Sequence, residues 1–248
     1  MNSAPTTGSV GHRSDGARGF ALIELLISLV IGLFLLGALV VGYAGMQQTF
    51  SAQSAFSQLQ DDQRMASNLL SDVVQEAGYF YNPQTATSAN TFPSNSTFAT
   101  AGQAVAGSSA SDSASDVLTV RFVASPAGTS SDFIINCNGA SNADTMNPAS
   151  YVNAFTVNAS HELTCSVNGA TAIPLVGNVA SWSVQYGVDT TGAGTVSQYL
   201  AASNMTAALW SSVLAVRITL QFANPLSGQP QQPATIPLIR VIPVMGSI

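Results

Sequence analysis

Apolar residues cluster in one unbroken segment near the start of the chain. Residues 20–45 read FALIELLISLVIGLFLLGALVVGYAG and contain a single charged side chain, Glu24. As a helix this segment covers roughly 39 Å at about 1.5 Å per residue, which is enough to cross a bilayer. It exceeds the about 7–15 apolar residues of an ordinary secretory signal. The pattern therefore predicts a membrane-spanning helix, with cleavage at the small residues of 42–45 and secretion as the alternative.

The charges that precede this segment predict its orientation. His12, Arg13 and Arg18 stand against a single acidic residue, Asp15, before the apolar residues begin. Basic residues favour the cytoplasmic side of a membrane segment. We therefore expect residues 1–19 in the cytoplasm and the rest of the chain, after a single pass, on the far side of the membrane.

A helical period continues beyond residue 45, but the polarity changes. A stripe recurs at spacings of three and four residues, which indicates an amphipathic helix that packs one face on a core. The stripe comprises Phe56, Leu59, Gln63, Ala66, Leu70, Val73, Ala77 and Phe80. The opposite face comprises Asp61, Asp62, Arg64, Ser67, Asn68 and Gln75. Because residues 20–82 contain no proline, we predict one helix from Phe20 to about Gly78, and assign 46–80 to its amphipathic half.

The remaining residues predict a loop followed by a β-rich globular head. Residues 81–115 are small and polar, which favours an exposed loop. Residues 116–248 form the head, and its predicted strands are 116–124, 132–137, 152–157, 162–167, 181–188, 213–223 and 235–244. Pro237 and Pro243 favour an edge position for the last strand. The expected fold class is α+β, a long N-terminal helix packed on a mainly antiparallel sheet.

The composition narrows the range of functions. The chain has 46% hydrophobic and only 7% charged residues, with six arginines, no lysine and a net charge of −6. Such a chain lacks the basic surface that neutralises phosphates, so nucleic acid is not an expected partner. Beyond residue 19 the only histidine is His161, and neither a zinc-protease motif nor a serine-hydrolase elbow occurs. We therefore expect neither enzymatic activity nor a cofactor.

Two groups of residues have some features of a metal site. Cys137 and Cys165 could bind zinc with His161, but no fourth ligand is evident, and in an exported chain two cysteines favour one disulfide bond. Asp189 begins a glycine-rich stretch that resembles a calcium loop. Position twelve of that loop is Leu200 where the site requires a glutamate, so a hairpin turn is the preferred interpretation.

Glu24 is the one charged residue between Arg18 and Asp61. A carboxylate inside an apolar helix is costly and tends to persist where it finds a partner. Cleavage between Gly19 and Phe20 would create an α-amino group at the depth of Glu24 in a neighbouring subunit. The two charges would then neutralise each other in a lipid-free filament core, where an unpaired charge is expensive.

The residues around this glutamate closely resemble the class III signal of type IV prepilins and type II secretion pseudopilins. The resemblance rests on Arg18 and Gly19 followed by FALIELLISL from Phe20 to Leu29. It implies that a prepilin peptidase cuts after Gly19 and methylates the Phe20 amine. It also implies that Glu24, the fifth residue of the mature chain, forms a salt bridge with the Phe20 amine of another subunit.

Several segments after the membrane helix look like those of PilW-type minor pilins. They are Arg64–Leu70, Ala77–Tyr79, Cys137, Leu163–Cys165, Tyr186–Asp189 and Val213–Ile218. The resemblance implies a low-abundance subunit that joins other minor pilins and the major pilin and primes pilus assembly. It implies a precursor anchored in the lipid of the bacterial inner membrane at the assembly platform. The head would lie in the periplasm before the subunit enters the pilus.

Two alternative functions fit parts of the same pattern. A J-type minor pseudopilin of type II secretion would share the signal and a comparable head. A secreted or anchored adhesin, or another binding module, would tolerate a head rich in serine, threonine and asparagine. That class would not need Glu24 or cleavage after Gly19, so the mature N-terminus discriminates between them.

Overall fold

The computed structural model describes residues 21–109, 115–128 and 134–244. The predicted leader, residues 1–19, lies outside the described residues, and so does Phe20. The chain consists of two compact units, Met1–Ser51 and Ala52–Ile248. Helix α1, Ala21–Gln75, contributes residues to both units.

The described part of the first unit is entirely helical. Residues 21–51 belong to α1, and the large apolar side chains from Leu22 to Phe50 are exposed. An apolar helix with no buried face is typical of a segment that is covered by lipid or by other subunits. The predicted helix from Phe20 to about Gly78 is confirmed within three residues at its C-terminal end, since α1 ends at Gln75.

The second unit contains the last part of α1, short helices and strands. The helices are α2, Ser88–Thr91, and α3, Ala207–Trp210, with a 3-10 turn over Ala202–Asn204. The strands are β1 Val105–Ser108, β2 Val117–Ala124, β3 Ala149–Val157, β4 Leu163–Val167, β5 Ile173–Val176, β6 Val179–Val188, β7 Gln198–Ala201, β8 Val213–Ala223 and β9 Thr235–Pro243.

These strands form two antiparallel sheets. The first has the order β1-β2-β3-β4-β5, so each strand pairs with its neighbours in sequence. The second has the order β7-β6-β8-β9. The prolines of β9 therefore lie on an edge strand, as the sequence predicts.

One hydrophobic core joins the last part of α1 to both sheets. Its largest fully buried side chains are Leu70 of α1, Leu118, Phe122, Phe155 and Leu163 of the first sheet, and Tyr186, Ile218, Leu220, Phe222 and Ile242 of the second. The predicted stripe residues Leu59, Ala66, Leu70 and Val73 of α1 are buried, and so is Ala77 just after the helix. The α+β fold class is confirmed.

The end of α1 is fixed by hydrogen bonds to β2. Gly78 has a φ of 82°, the left-handed conformation that favours glycine where a helix ends. Its N–H donates to the carbonyl of Arg121 at 2.9 Å. One residue later the carbonyl of Tyr79 accepts from the N–H of Val123 at 2.8 Å, and Phe80 forms a parallel bridge with Val123. The chain therefore leaves the helix as a short extension of the first sheet.

The prediction of an exposed loop over residues 81–115 is wrong for part of this stretch. Phe92, Phe98 and residues 103–106 are buried, and 105–108 form β1. Small side chains in this stretch permit close packing, and the two phenylalanines anchor it on the guanidinium of Arg121. The segment belongs structurally to the head.

The sequence prediction also errs in some strands. Of the predicted strand at 132–137, the described residues 134–137 form only an isolated bridge between Ile135 and Ser141. Strands β1, β5 and β7 were not predicted, since each has only four residues. Ser67, assigned to the polar face of the helix, is buried because the packed face is wider than one stripe.

Candidate functional site

Glu24 is the acidic residue of the first turn of α1. Its side chain is exposed among exposed apolar neighbours that include Ile23, Leu25 and Leu26. Its backbone carbonyl accepts a hydrogen bond from the Ser28 hydroxyl at 2.7 Å, a local bond within the helix. The carboxylate is therefore presented on an apolar surface, where a cation from another molecule can reach it.

The helix that carries Glu24 meets the physical requirement for a membrane anchor. Among the described residues, α1 is the one helix that is long and apolar enough to cross a membrane, by length and composition alone. The two residues that would flank the predicted cleavage point, Gly19 and Phe20, lie outside the described residues. Their roles, and the pairing of Glu24 with Phe20, therefore stay predictions.

Cys137 and Cys165 form a disulfide bond, as the sequence predicts. The bond connects the segment before β3 to the buried middle of β4, with 28 residues of sequence separation. The Cys137 N–H donates to the side-chain oxygen of Asn153 at 2.9 Å, which fixes the approach of this segment to the sheet. Closure of a loop of this size stabilises the fold by about 3–4 kcal/mol, mainly through the unfolded state. Because both sulfur atoms are bonded to each other, they do not form a zinc site with His161.

The Asp189 loop is a self-contained turn. Its carboxylate accepts hydrogen bonds from the N–H groups of Thr191, Gly192 and Gly194 at 2.7–2.8 Å, and from the Thr191 hydroxyl at 2.9 Å. The bond from the Thr191 N–H is the main cause that lowers the pKa of Asp189 to about 2. Since internal donors already engage both carboxylate oxygens, the geometry agrees with a hairpin turn rather than a calcium loop.

The buried guanidinium of Arg121 is a structural site that sequence reasoning missed. It donates to three backbone carbonyls: Nε to Gln103 at 2.7 Å, Nη1 to Pro93 at 2.8 Å and Nη2 to Phe92 at 3.2 Å. It also lies over the rings of Phe98, at 4.0 Å, and Phe92, at 5.2 Å. Burial lowers its pKa to about 10, which leaves it protonated at neutral pH. This arginine therefore holds the segment between α1 and β1 against the first sheet.

A second buried polar arrangement connects β6 with the chain before β2. The carbonyl of Asp116 accepts from the Trp182 indole N–H at 2.8 Å, and its carboxylate accepts from the Val184 N–H at 2.9 Å. The Tyr186 hydroxyl is buried without a hydrogen-bond partner in the described residues. Burial, with a smaller effect of Asp116, raises the pKa of Tyr186. A phenol held in its neutral form acts here as part of the core.

Glu76, just after α1, is the acidic residue whose pKa is raised most clearly. Burial is the main cause that raises its pKa from 4.5 to about 7, the charge of Asp72 raises it further, and a backbone hydrogen bond from Ile135 opposes both. Its Oε2 atom is buried and has no hydrogen-bond partner among the described residues. A negative charge near a helix C-terminus is also unfavourable for the helix dipole.

The pKa of Glu76 predicts that stability falls as pH rises. The folded chain keeps this proton up to about pH 7, whereas the unfolded chain loses it near 4.5, so the free energy of unfolding declines between these values. Glu76→Gln should remove that decline and raise stability at pH 8 by about 1 kcal/mol, after allowance for solvent screening. Urea unfolding of the full chain in detergent at several pH values measures the effect.

Asp72→Asn provides a matched variant for this experiment. It removes the smaller of the two causes that raise the pKa of Glu76, so it should keep a reduced decline in stability. Identical pH profiles for wild type and Glu76→Gln would contradict the assignment.

Comparisons with known proteins match two separate parts of the chain. The prokaryotic N-terminal methylation motif matches residues 15–40, which include Gly19, Phe20 and Glu24. The type IV pilus-assembly protein W family matches residues 149–236, from β3 into β9. Comparison with curated proteins found no match. Among solved structures, a type IV-like pilin from Thermus thermophilus is similar at 14% identity and a TM-score of 0.42, over 76% of this chain and 96% of that chain.

The methylation motif covers the residues that resemble the class III signal. The match to pilus-assembly protein W covers three of the six segments that resemble PilW-type minor pilins, namely Leu163–Cys165, Tyr186–Asp189 and Val213–Ile218. The methylation motif coincides with the exposed apolar helix, and together they indicate a membrane-anchored pilin that assembles into a pilus. The match to pilus-assembly protein W covers most of the second sheet and favours the pilus over type II secretion. Together the two matches support a PilW-type minor pilin with a role in type IV pilus assembly.

Proposed function

We propose that this pilin is cleaved after Gly19 by a prepilin peptidase, that the new Phe20 amine is methylated, and that the mature chain primes or enters the pilus. The single observation that carries the proposal is the exposed Glu24 carboxylate in an apolar helix matched by the methylation motif. A carboxylate at this place needs a cation when the helix enters a filament core. The methylated amine of a neighbouring subunit supplies one.

The parts of the chain then have separate tasks. Residues 1–19 are the leader, residues 20–45 anchor the precursor in inner-membrane lipid and later line the filament core, and residues 46–80 connect to the head. The head, to which residues 81–109 belong, contacts other minor pilins and the major pilin while the assembly platform extracts the subunit. In this scheme each contact is structural, and the protein catalyses no reaction.

Mass spectrometry of the mature N-terminus tests the proposal. The full chain is purified from membranes and from sheared pili, and its N-terminal peptide is sequenced. We expect a methylated Phe20 in both fractions. An N-terminus created by cleavage within 42–45 would support secretion of an adhesin or binding module and overturn the proposal.

Glu24→Gln is expected to be processed normally yet to be at least tenfold depleted from the pilus fraction. The amide keeps the size of the side chain but cannot neutralise the Phe20 amine of the adjoining subunit. The ratio of pilus to membrane protein, measured by quantitative immunoblot, reports incorporation. Ser28→Ala, which removes only the local hydrogen bond to the Glu24 carbonyl, is the control and should assemble like wild type. Normal incorporation of Glu24→Gln would refute the salt bridge.

A further inference from the structure

The outer edge of β9 has an unusual arrangement of backbone donors. The N–H of Val244 donates to Leu214 at 2.9 Å, and the N–H of Asn224 donates to Ala234 at 3.0 Å, at opposite ends of the β8–β9 ladder. Backbone groups alternate in direction along an antiparallel strand. The even-numbered residues of β9 are therefore bonded to β8, and the odd-numbered residues point their backbone groups away from the sheet.

A proline lies at each end of this row of outward-pointing backbone groups. Pro237 and Pro243 have no N–H to offer, so the central outward donors are those of Ile239 and Val241. Within the described residues, β9 is the last strand of its sheet. We call the stretch Pro237–Pro243 the edge window. It presents two donors and the carbonyls beside them, enough for four hydrogen bonds with one antiparallel strand.

The side chains of the edge window are apolar where an ordinary edge is polar. Ile239 is 59% exposed and Val241 is 53% exposed, both on the sheet face opposite the core. Natural edge strands that merely avoid pairing carry charges or polar groups at such positions. The prolines limit where a strand can bind, but Ile239 and Val241 offer it apolar contact.

Arg240, at the centre of the edge window, determines which charge an incoming strand can place opposite it. Its side chain is exposed, and no described residue forms a hydrogen bond or ion pair with it. The window is nearly symmetric about it, with Pro237 matching Pro243 and Ile239 matching Val241. Antiparallel pairing with a second copy would place Arg240 opposite Arg240, and like charges directly opposite are destabilising. An acidic residue at that position of the incoming strand would instead attract Arg240.

We propose that the edge window binds an extended segment of a different pilin subunit, with a carboxylate opposite Arg240. This inference rests on the proposed function, since it names the surface through which the head contacts a neighbouring subunit. The incoming strand extends the second sheet, with its register fixed between the two prolines.

Photo-crosslinking in piliated cells tests the edge window. A benzophenone amino acid replaces Val241 in the full-length protein, and the same residue at Ser183, exposed on the inner strand β6, is the matched control. We expect the Val241 probe to capture another chain with a prepilin signal, on a segment that contains an acidic residue. The Ser183 probe should give at least fivefold less product.

Three variants separate backbone pairing from charge. Ile239→Pro removes an outward donor but no bond to β8, so the sheet is retained while the crosslink should fall at least fivefold. Ile239→Thr keeps the donor and should preserve it. Arg240→Glu should also lose the crosslink, and replacement of the partner's acidic residue by lysine should restore it.

Several results would overturn the inference. They are capture of a second copy of this chain, equal yields from the Val241 and Ser183 probes, or full crosslinking in both Ile239→Pro and Arg240→Glu. The N-terminus is sequenced in the same cells. If Phe20 is methylated and the crosslink is absent, the edge window is a protective edge only and the proposed function stands. Absence of the methylated terminus would instead count against the proposed function.

Discussion

Gly107→Ala is expected to lower the free energy of unfolding of the head by about 3 kcal/mol or more. Gly107 lies in β1, and an added Cβ would stand 1.8 Å from the Tyr186 hydroxyl and 2.7 Å from the Val117 carbonyl. Neither contact is relieved by a side-chain rotation, because one neighbour is a fully buried ring and the other is backbone. Thermal and urea unfolding of the full chain in detergent would measure the loss.

A double-mutant cycle identifies the cause of this loss. Tyr186→Phe alone should be neutral or slightly stabilising, because its buried hydroxyl has no partner in the described residues. Combined with Gly107→Ala it should recover about 1–2 kcal/mol, since the ring carbon at 2.8 Å and the carbonyl still obstruct the methyl group. Gly177→Ala is the control, because nothing lies within 4 Å of its added Cβ. A loss of equal size in that control would show that the effect is not specific to this contact.

Gly19→Val is expected to accumulate as uncleaved precursor in the inner membrane and to be missing from pili. A prepilin peptidase must approach the peptide bond after residue 19 closely, and glycine alone leaves the backbone unobstructed there. Immunoblots of membrane and pilus fractions, with mass spectrometry of the retained leader, report the outcome. The change from nearly complete to nearly absent processing makes this the largest expected effect on function.

A glycine further along the helix provides the control for this variant. Gly32→Ala adds a methyl group within α1, where nothing lies within 4 Å, and alanine is the better helix former. It should be processed and assembled like wild type. A mature Phe20 terminus in the Gly19→Val strain would contradict the cleavage point and, with it, the partner assigned to Glu24.

The elements predicted correctly are those whose sequence pattern is sustained. The apolar segment and the stripe after it specify α1 over more than fifty residues, and the prolines of β9 identify an edge strand. The short strands were missed because β1, with the sequence VAGS, has no period of its own and depends on pairing with β2. Local sequence cannot report a partner strand that lies elsewhere in the chain.

The site residues, like the strands, were predicted only where the signal is local in sequence. Glu24 and the cysteines were found because a charge in an apolar segment and a cysteine pair are local signals. Arg121 was missed because alternation in DVLTVRFVA predicts a polar position facing solvent, whereas residues 118–124 of β2 are buried without interruption. The partner of Glu24 belongs, by our proposal, to another subunit, and a single chain does not contain it.

The exit from α1 has a mechanical consequence. A pilus bears tension, and a pull along the helix would reach the head partly through the bonds of Gly78 and Tyr79 to β2. The buried residues of α1, Leu59 to Val74, carry the rest of the load into both sheets. The head is therefore attached to its anchor by side-chain packing and by backbone hydrogen bonds together while the helix is extracted from lipid.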